Sequence, residues 1–174
     1  MALQLFKIAS TTVESPVANV TFSSIPSGYT DLLIRMSTRT TENPGPSALG
    51  LQINGASTSL NAIALRGNGA VATSFTLAAT SGGFARYSGQ SGQANDTTTN
   101  TFSSQEIYIP NYTSANFKSM SLDSVTENNG TTAYAELNAI LWSSTSAITS
   151  LAVNVYGGGG SLNTNSTFTL YGVL

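Results

Sequence analysis

The sequence predicts an all-β fold, a two-sheet antiparallel sandwich of jelly-roll-like form, and three observations predict it. Apolar residues recur at every second position in one segment after another. Turn signals built from Gly, Pro and Asn separate these segments. No segment combines a helical stripe with a preceding N-cap, and no strand–helix alternation announces a parallel sheet. An immunoglobulin-like sandwich fits less well, because its Cys…Trp…Cys marker is missing from a chain with no cysteine. The pattern implies roughly eight to ten strands and leaves their order open.

Taken in order, Leu3, Leu5, Phe6 and Ile8 make a short apolar segment ahead of Pro16. Residues 1–16 read as an N-terminal arm reaching a neighbour or as an edge strand, and these four side chains are a candidate assembly interface. Residues 17–174 read as a single β-sandwich domain. In Val17–Ile25, Ala18, Val20 and Phe22 share a face. Pro26-Ser27-Gly28 then turns the chain, and Leu32, Ile34 and Met36 alternate with Asp31, Arg35 and Ser37, with Leu33 out of phase. The expectation is an antiparallel pair across that turn. Thr40–Ser47, with two prolines and a glycine, is a loop. Leu49, Leu51 and Ile53 form a strand closed by Asn54-Gly55, a strong turn dipeptide, and Leu60–Leu65 forms another.

From residue 70 to 100 Gly, Ser, Thr, Ala and Asn dominate, which predicts a loop-rich insert with one or two short strands. Thr101–Ile109 resumes the alternation. Met120 and Leu122 share a face with Ser124, and Val125 falls out of phase, suggesting a bulge. Ala133, Ala135, Leu137, Ala139 and Leu141 alternate with Tyr134, Glu136, Asn138, Ile140 and Trp142. A helix would also accommodate this stretch, but period two is the better match and predicts a central strand. Leu151, Val153 and Val155, then Phe168, Leu170 and Gly172, mark the last two strands.

Composition narrows the chemistry. The chain has 174 residues and a formal net charge of −2; 8% of it is charged, against about 25% in an average soluble protein. More than a quarter is Ser or Thr, so the surface is neutral and hydroxyl-rich. Six scattered Lys and Arg form no patch for phosphate, which argues against a nucleic-acid partner. The absence of Cys and His removes thiolate nucleophiles, the commonest general base and the commonest metal ligands. No cofactor, metal site or catalytic residue is expected. No run is long enough to span a membrane and the N-terminus does not read as a signal peptide, so synthesis in a cytoplasm is expected.

The remaining constellations are bland. Gly157–Gly160 lacks the Gly-Lys-Ser/Thr sequel of a phosphate loop and reads as a hairpin tip. Asp123, Glu127, Asn128 and Asn129 do not match a calcium-loop spacing. The acids Glu14, Asp31, Glu42, Asp96, Glu106, Asp123, Glu127 and Glu136 are not paired in an apolar setting, as a glycosidase would require, so no enzyme is expected. Tyr108, Tyr112, Tyr134, Trp142 and Tyr156 are a candidate aromatic contact surface for sugar, or else residues of the core margin or of a subunit interface.

Val20-Thr-Phe-Ser-Ser-Ile-Pro-Ser-Gly-Tyr-Thr-Asp-Leu-Leu-Ile-Arg35, Ile53-Asn-Gly55, Ile107-Tyr-Ile-Pro-Asn-Tyr112, Trp142 with Ala147-Ile-Thr-Ser-Leu151, and Ser166-Thr-Phe-Thr-Leu-Tyr-Gly172 resemble small virion structural proteins of tailed phages, cyanophages especially. The likeness spans most of the chain outside residues 70–100. It implies a β-rich, non-enzymatic virion component, a homotrimer that decorates or cements the capsid by contact with the major capsid or another virion protein. The alternative it leaves open is a tail-associated or head-fibre adhesin that binds host-surface glycan.

Overall fold

The computed structural model describes residues 4–43, 47–81, 84–86, 98–127, 133–157 and 159–174. Their strands are β1 (Leu5–Thr12), β2 (Asn19–Phe22), β3 (Asp31–Thr38), β4 (Leu49–Ile53), β5 (Leu60–Gly67), β6 (Ala72–Ser81), β7 (Phe84–Arg86), β8 (Ser103–Ile109), β9 (Lys118–Val125), β10 (Ala135–Trp142), β11 (Leu151–Val155) and β12 (Thr167–Val173). The described residues contain no helix. Every pairing is antiparallel. The hydrogen-bonded order runs β1-β12-β3-β8-β9-β10-β5-β6-β7-β4-β11-β2. The first eight of these strands form the larger layer and the last four the smaller, with β6 and β7 as the link between layers.

A bent ribbon joins the two layers on the opposite side. In the larger sheet β12 lies between β1 and β3; in the smaller, β11 lies between β2 and β4. The described residues of three long stretches, 5–22, 31–43 with 47–53, and 151–157 with 159–173, therefore run side by side and fold over together. The bend is held where Leu162 bridges Val17 on one side and Thr40 on the other. Hydrogen bonds continue through the corner, from Val17 N to Leu162 O at 3.0 Å and from Thr41 N to Ser161 O at 2.9 Å. Backbone groups that leave one sheet are thus satisfied on the way into the next, as burial demands.

This ribbon corrects several sequence expectations. Pro26-Ser27-Gly28 does not close a hairpin: β2 pairs β11 and β3 pairs β12 and β8, so the turn carries the chain between layers. No hairpin joins β11 to β12 across Gly157–Gly160, since the two strands do not pair with each other; Gly158 lies outside the described residues. Val125 marks no bulge; β9 alternates without interruption and Val125 lies on its outward face. The register shift falls instead in β1, between Lys7 and Ala9. Residues 72–81, expected to be mostly loop, form the longest strand, β6, because Phe75 and Leu77 alternate with small polar residues that a strand tolerates on its solvent side. Tyr87, Asn128 and Asn129 lie outside the described residues.

The two inner faces share one core. Val20, Phe22, Leu49, Leu51, Ile53, Leu151 and Val153 of the smaller sheet meet Ile34, Ile107, Leu122, Ile140 and Phe168 of the larger. The turns at one end of this core are stitched together. Asn54 and Gly55 both take left-handed φ, 53° and 73°, the signature of a type I′ turn. The Asn54 side chain reaches across to the 147–150 loop. Its Oδ1 accepts from Thr149 N at 2.8 Å and Ser150 N at 3.1 Å, and its Nδ2 donates to Ala147 O at 2.7 Å.

The interior changes character toward the other end. There Thr38, Ser103, Gln105, Ser124, Glu136 and Asn138 are buried. Thr38 Oγ1 and Ser103 Oγ lie 2.6 Å apart, and Gln105 Nε2 donates to both, at 2.7 and 2.9 Å. The hydroxyl-rich composition thus serves the inside as well as the surface.

Candidate functional site

β10 determines what the larger sheet presents outward. Its buried residues are Glu136, Asn138, Ile140 and Trp142, and its outward ones are Ala135, Leu137, Ala139 and Leu141. Beside it, β5 turns Leu60, Ala62 and Ala64 inward and Asn61, Ile63 and Leu65 outward. On both strands the outward face carries bulky aliphatics, the reverse of the usual solvent-facing pattern. Register brings them together: Leu65 is opposite Leu137 and Ile63 opposite Ala139, with Val125 opposite Ala135 on the next strand. Ile63 is 61% exposed, Leu65 53%, Leu137 50%, Val125 48% and Leu141 39%. A hollow of about 310 Å³ lies in this face between Ile63 and Leu141, with Ala139 at its floor.

The same sheet is polar on its other half. A groove of about 420 Å³ crosses β12, β3, β8 and β9, lined among others by Arg35, Ser104, Glu106, Asp123 and Thr169. Arg35 Nε donates to Glu106 Oε2 at 2.8 Å; both side chains are about half exposed, so the pair adds little stability. Leu33, out of phase in the sequence, is nonetheless buried. It faces outward between its cross-strand neighbours Tyr171 and Tyr108. The Arg35 guanidinium sits 6.0 Å from the centre of the Tyr171 ring.

The five aromatics proposed as a contact surface do not gather on one. Tyr112 and Trp142 are buried; the Tyr112 hydroxyl donates to Pro26 O, and burial raises its pKa. Tyr108 lies on the outer face and donates to Asp31 Oδ2 at 2.5 Å. That hydrogen bond, with partial burial and the neighbouring carboxylate charge, pushes its pKa up to about 12. Tyr134 stacks on the Arg66 guanidinium at 4.6 Å, with Phe75 at 4.7 Å from that same group. Tyr156 follows β11 and hydrogen-bonds through its backbone to Ala48 O at 2.9 Å.

The candidate N-terminal interface is built into the sheet. β1 pairs along β12 from Leu5–Val173 to Thr12–Thr167, so the segment is an edge strand of its own subunit and not a free arm. Ile8 packs on the core, Phe6 stacks on Tyr29 with ring centres 5.9 Å apart, and Leu5 is 38% exposed. Leu3 lies outside the described residues.

Lys118 is a buried charged group that sequence reasoning missed. Its ammonium donates to Ser114 O at 2.7 Å, Ser146 O at 2.6 Å and Ser144 O at 3.3 Å, and lies 5.2 Å from the centre of the Trp142 ring. Burial pushes its pKa below the usual lysine range. Three carbonyls from two loops make this a structural clamp. Its lone signal in sequence is position, because Lys118 holds the inward phase shared with Met120 and Leu122.

No group of three or more His, Cys, Asp or Glu side chains arranged to hold a metal occurs among the described residues. No helix of the described residues is long and apolar enough to cross a membrane. No protein-family model matches the chain, and no curated protein is significantly similar to it.

Proposed function

We propose that this chain is a non-enzymatic structural protein of a tailed-phage virion, a homotrimer that decorates and stabilises the capsid by binding the major capsid or another virion protein. The observation that carries the reading is how the resemblance motifs are used. Pro26 accepts from Tyr112, Asn54 holds Ala147, Thr149 and Ser150, and Tyr29 lies against Gly172. Each quoted phrase touches another, so the set specifies one turn architecture and not scattered coincidences. A sandwich with few charges and a broad aliphatic outer face suits permanent packing in a particle. The adhesin alternative loses support because Tyr112 and Trp142 of its aromatic set are buried. The test is location: the purified protein should bind empty capsids, and the chain should be present in purified virions at a copy number matching capsid sites. Binding to tails or to a glycan array, with none to capsids, would overturn it.

A further inference from the structure

We infer that the outer face of β5 and β10 is a self-association surface, covered by a second copy of this chain. The inference rests on the oligomeric reading above and specifies which surface makes the contact.

The first argument is patterning. β10 buries Glu136 and Asn138 while exposing Leu137, Ala139 and Leu141, and β5 buries Ala62 and Ala64 while exposing Ile63 and Leu65. Leu60 and Ile140 are buried, but four bulky aliphatics of these two adjacent strands, Ile63, Leu65, Leu137 and Leu141, turn outward, which places the patch in the ~300–600 Å² class of the largest patches on monomers. The neighbouring small residues of β6 and β9 extend it toward the ~800 Å² per partner of a standard interface. Aliphatic area left permanently in water is costly, at about 25 cal/mol per Å²; covering it in the working state removes that cost.

The second argument is shape and charge together, and it selects a copy of the same chain. Leu65 and Leu137, directly opposite in register, form a ridge. The hollow of about 310 Å³ floored by Ala139 begins two residues further along the same strands. A ridge and a hollow on one patch are complementary to each other, so the ridge of one copy seats in the hollow of the next; another protein would need only one of the two features. The patch is uncharged except for Asp123, opposite Leu137 at its margin, so a copy meets no field of like charge. Both strands are central and their backbones fully paired, which makes the contact face to face and not edge to edge.

The test is the solution mass of the full chain at about 50 μM, by sedimentation, for wild type, for the double variant Leu65→Glu/Leu137→Glu, and for the milder Leu65→Thr/Leu137→Thr. Thr is a good strand residue, so the second variant decides the matter if the first fails to fold. Wild type is expected at a multiple of 18.0 kDa, with the folded variants at the single-chain mass or dissociating at least 100-fold more readily. A wild type that sediments as a single chain, or folded variants that keep the wild-type mass, would overturn the inference. Capsid binding is scored separately. An oligomer that dissociates in the variants but never binds capsids leaves this surface standing and removes the capsid reading.

Discussion

Gly172→Ala should destabilise the protein well beyond the effect of an ordinary strand substitution. Gly172 is a buried position in β12, where a Cβ would lie 2.2 Å from Tyr29 Cγ and 2.3 Å from its Cδ2. Cγ is the near end of the ring, one bond from the Cβ that the backbone fixes, so bending the far end of the side chain, as a lysine tip would, gives no relief and the whole ring has to change rotamer or the backbone has to shift. Tyr29 also stacks on Phe6, so displacing it loosens β1 at the edge of the sheet. Overpacking costs about 1–3 kcal/mol; with the stack disturbed, the upper half of that range is expected. For a chain of this size each kcal/mol lowers Tm by about 2–4 °C, giving a fall of about 4–12 °C by circular dichroism or calorimetry. Tyr29→Ala alone should also destabilise, and the double variant should be much less unstable than the two single losses added, because the clash is gone. Gly28→Ala, with nothing within 4 Å of its added Cβ, is the control. A Gly172→Ala protein that melts with wild type, or losses that simply add, would refute the contact.

Three further outcomes are expected. Asn54→Ala, which removes four hydrogen bonds to the 147–150 loop from a residue at φ 53°, should cost about 2–4 kcal/mol in chemical denaturation, with Asn54→Asp losing less because the acceptor oxygens remain. Tyr108 is held protonated in the fold, with a pKa of about 12 against 10.0 unfolded; its contribution is complete below pH 10 and is lost as pH rises toward 12, so Tyr108→Phe should flatten the alkaline fall in Tm. A chain starting at Ser10 should melt lower than the full chain, because β12 loses the part of its β1 pairing made by Leu5, Phe6, Lys7 and Ala9, and the core loses Ile8; an unchanged Tm would return residues 1–9 to the role of an arm.

Period two was legible wherever a strand alternates large and small, and it located β3, β4, β8, β9, β10 and β12 within a few residues. Which strands pair was not legible. Val20–Ile25 and Leu32–Met36 flank a turn of the kind that closes hairpins, yet backbone hydrogen bonding with residues 151–173, more than a hundred positions away, separates them into different layers. The inward face was likewise hidden: Ala135–Trp142 offers two faces of similar hydrophobicity, and the choice depends on what β9 and β5 present beside it. The site was less legible still. Lys118 was one basic residue among six, and for Tyr112 and Trp142 the sequence left open whether they lie toward the core or on a platform.

The orientation of β10 explains why the outer patch exists. A one-residue slip of this strand would turn Leu137, Ala139 and Leu141 inward and Glu136 and Asn138 to solvent, which is the better arrangement for β10 taken by itself. Its neighbours decide otherwise. Ile140 stands opposite Met120 on β9, and Trp142 stands opposite Lys118 with its ring near that ammonium. At the polar end Glu136 stands opposite Ser124 and accepts from Asn138 Nδ2 at 3.1 Å. The interior of this sandwich runs from aliphatic to hydroxyl-rich, and the Glu136-to-Trp142 face runs the same way, whereas the Leu137 face is aliphatic from end to end and would set Leu137 among Gln105, Ser124 and Arg66. Matching the interior gradient therefore places the uniform aliphatic face outward. Leu137 then lies outside the core and contacts its own chain chiefly through its cross-strand neighbour Leu65, so Leu137→Thr should leave the stability of the single chain within about ±0.5 kcal/mol, the usual range for surface changes; a larger loss at concentrations where the chain self-associates would measure the contact between copies.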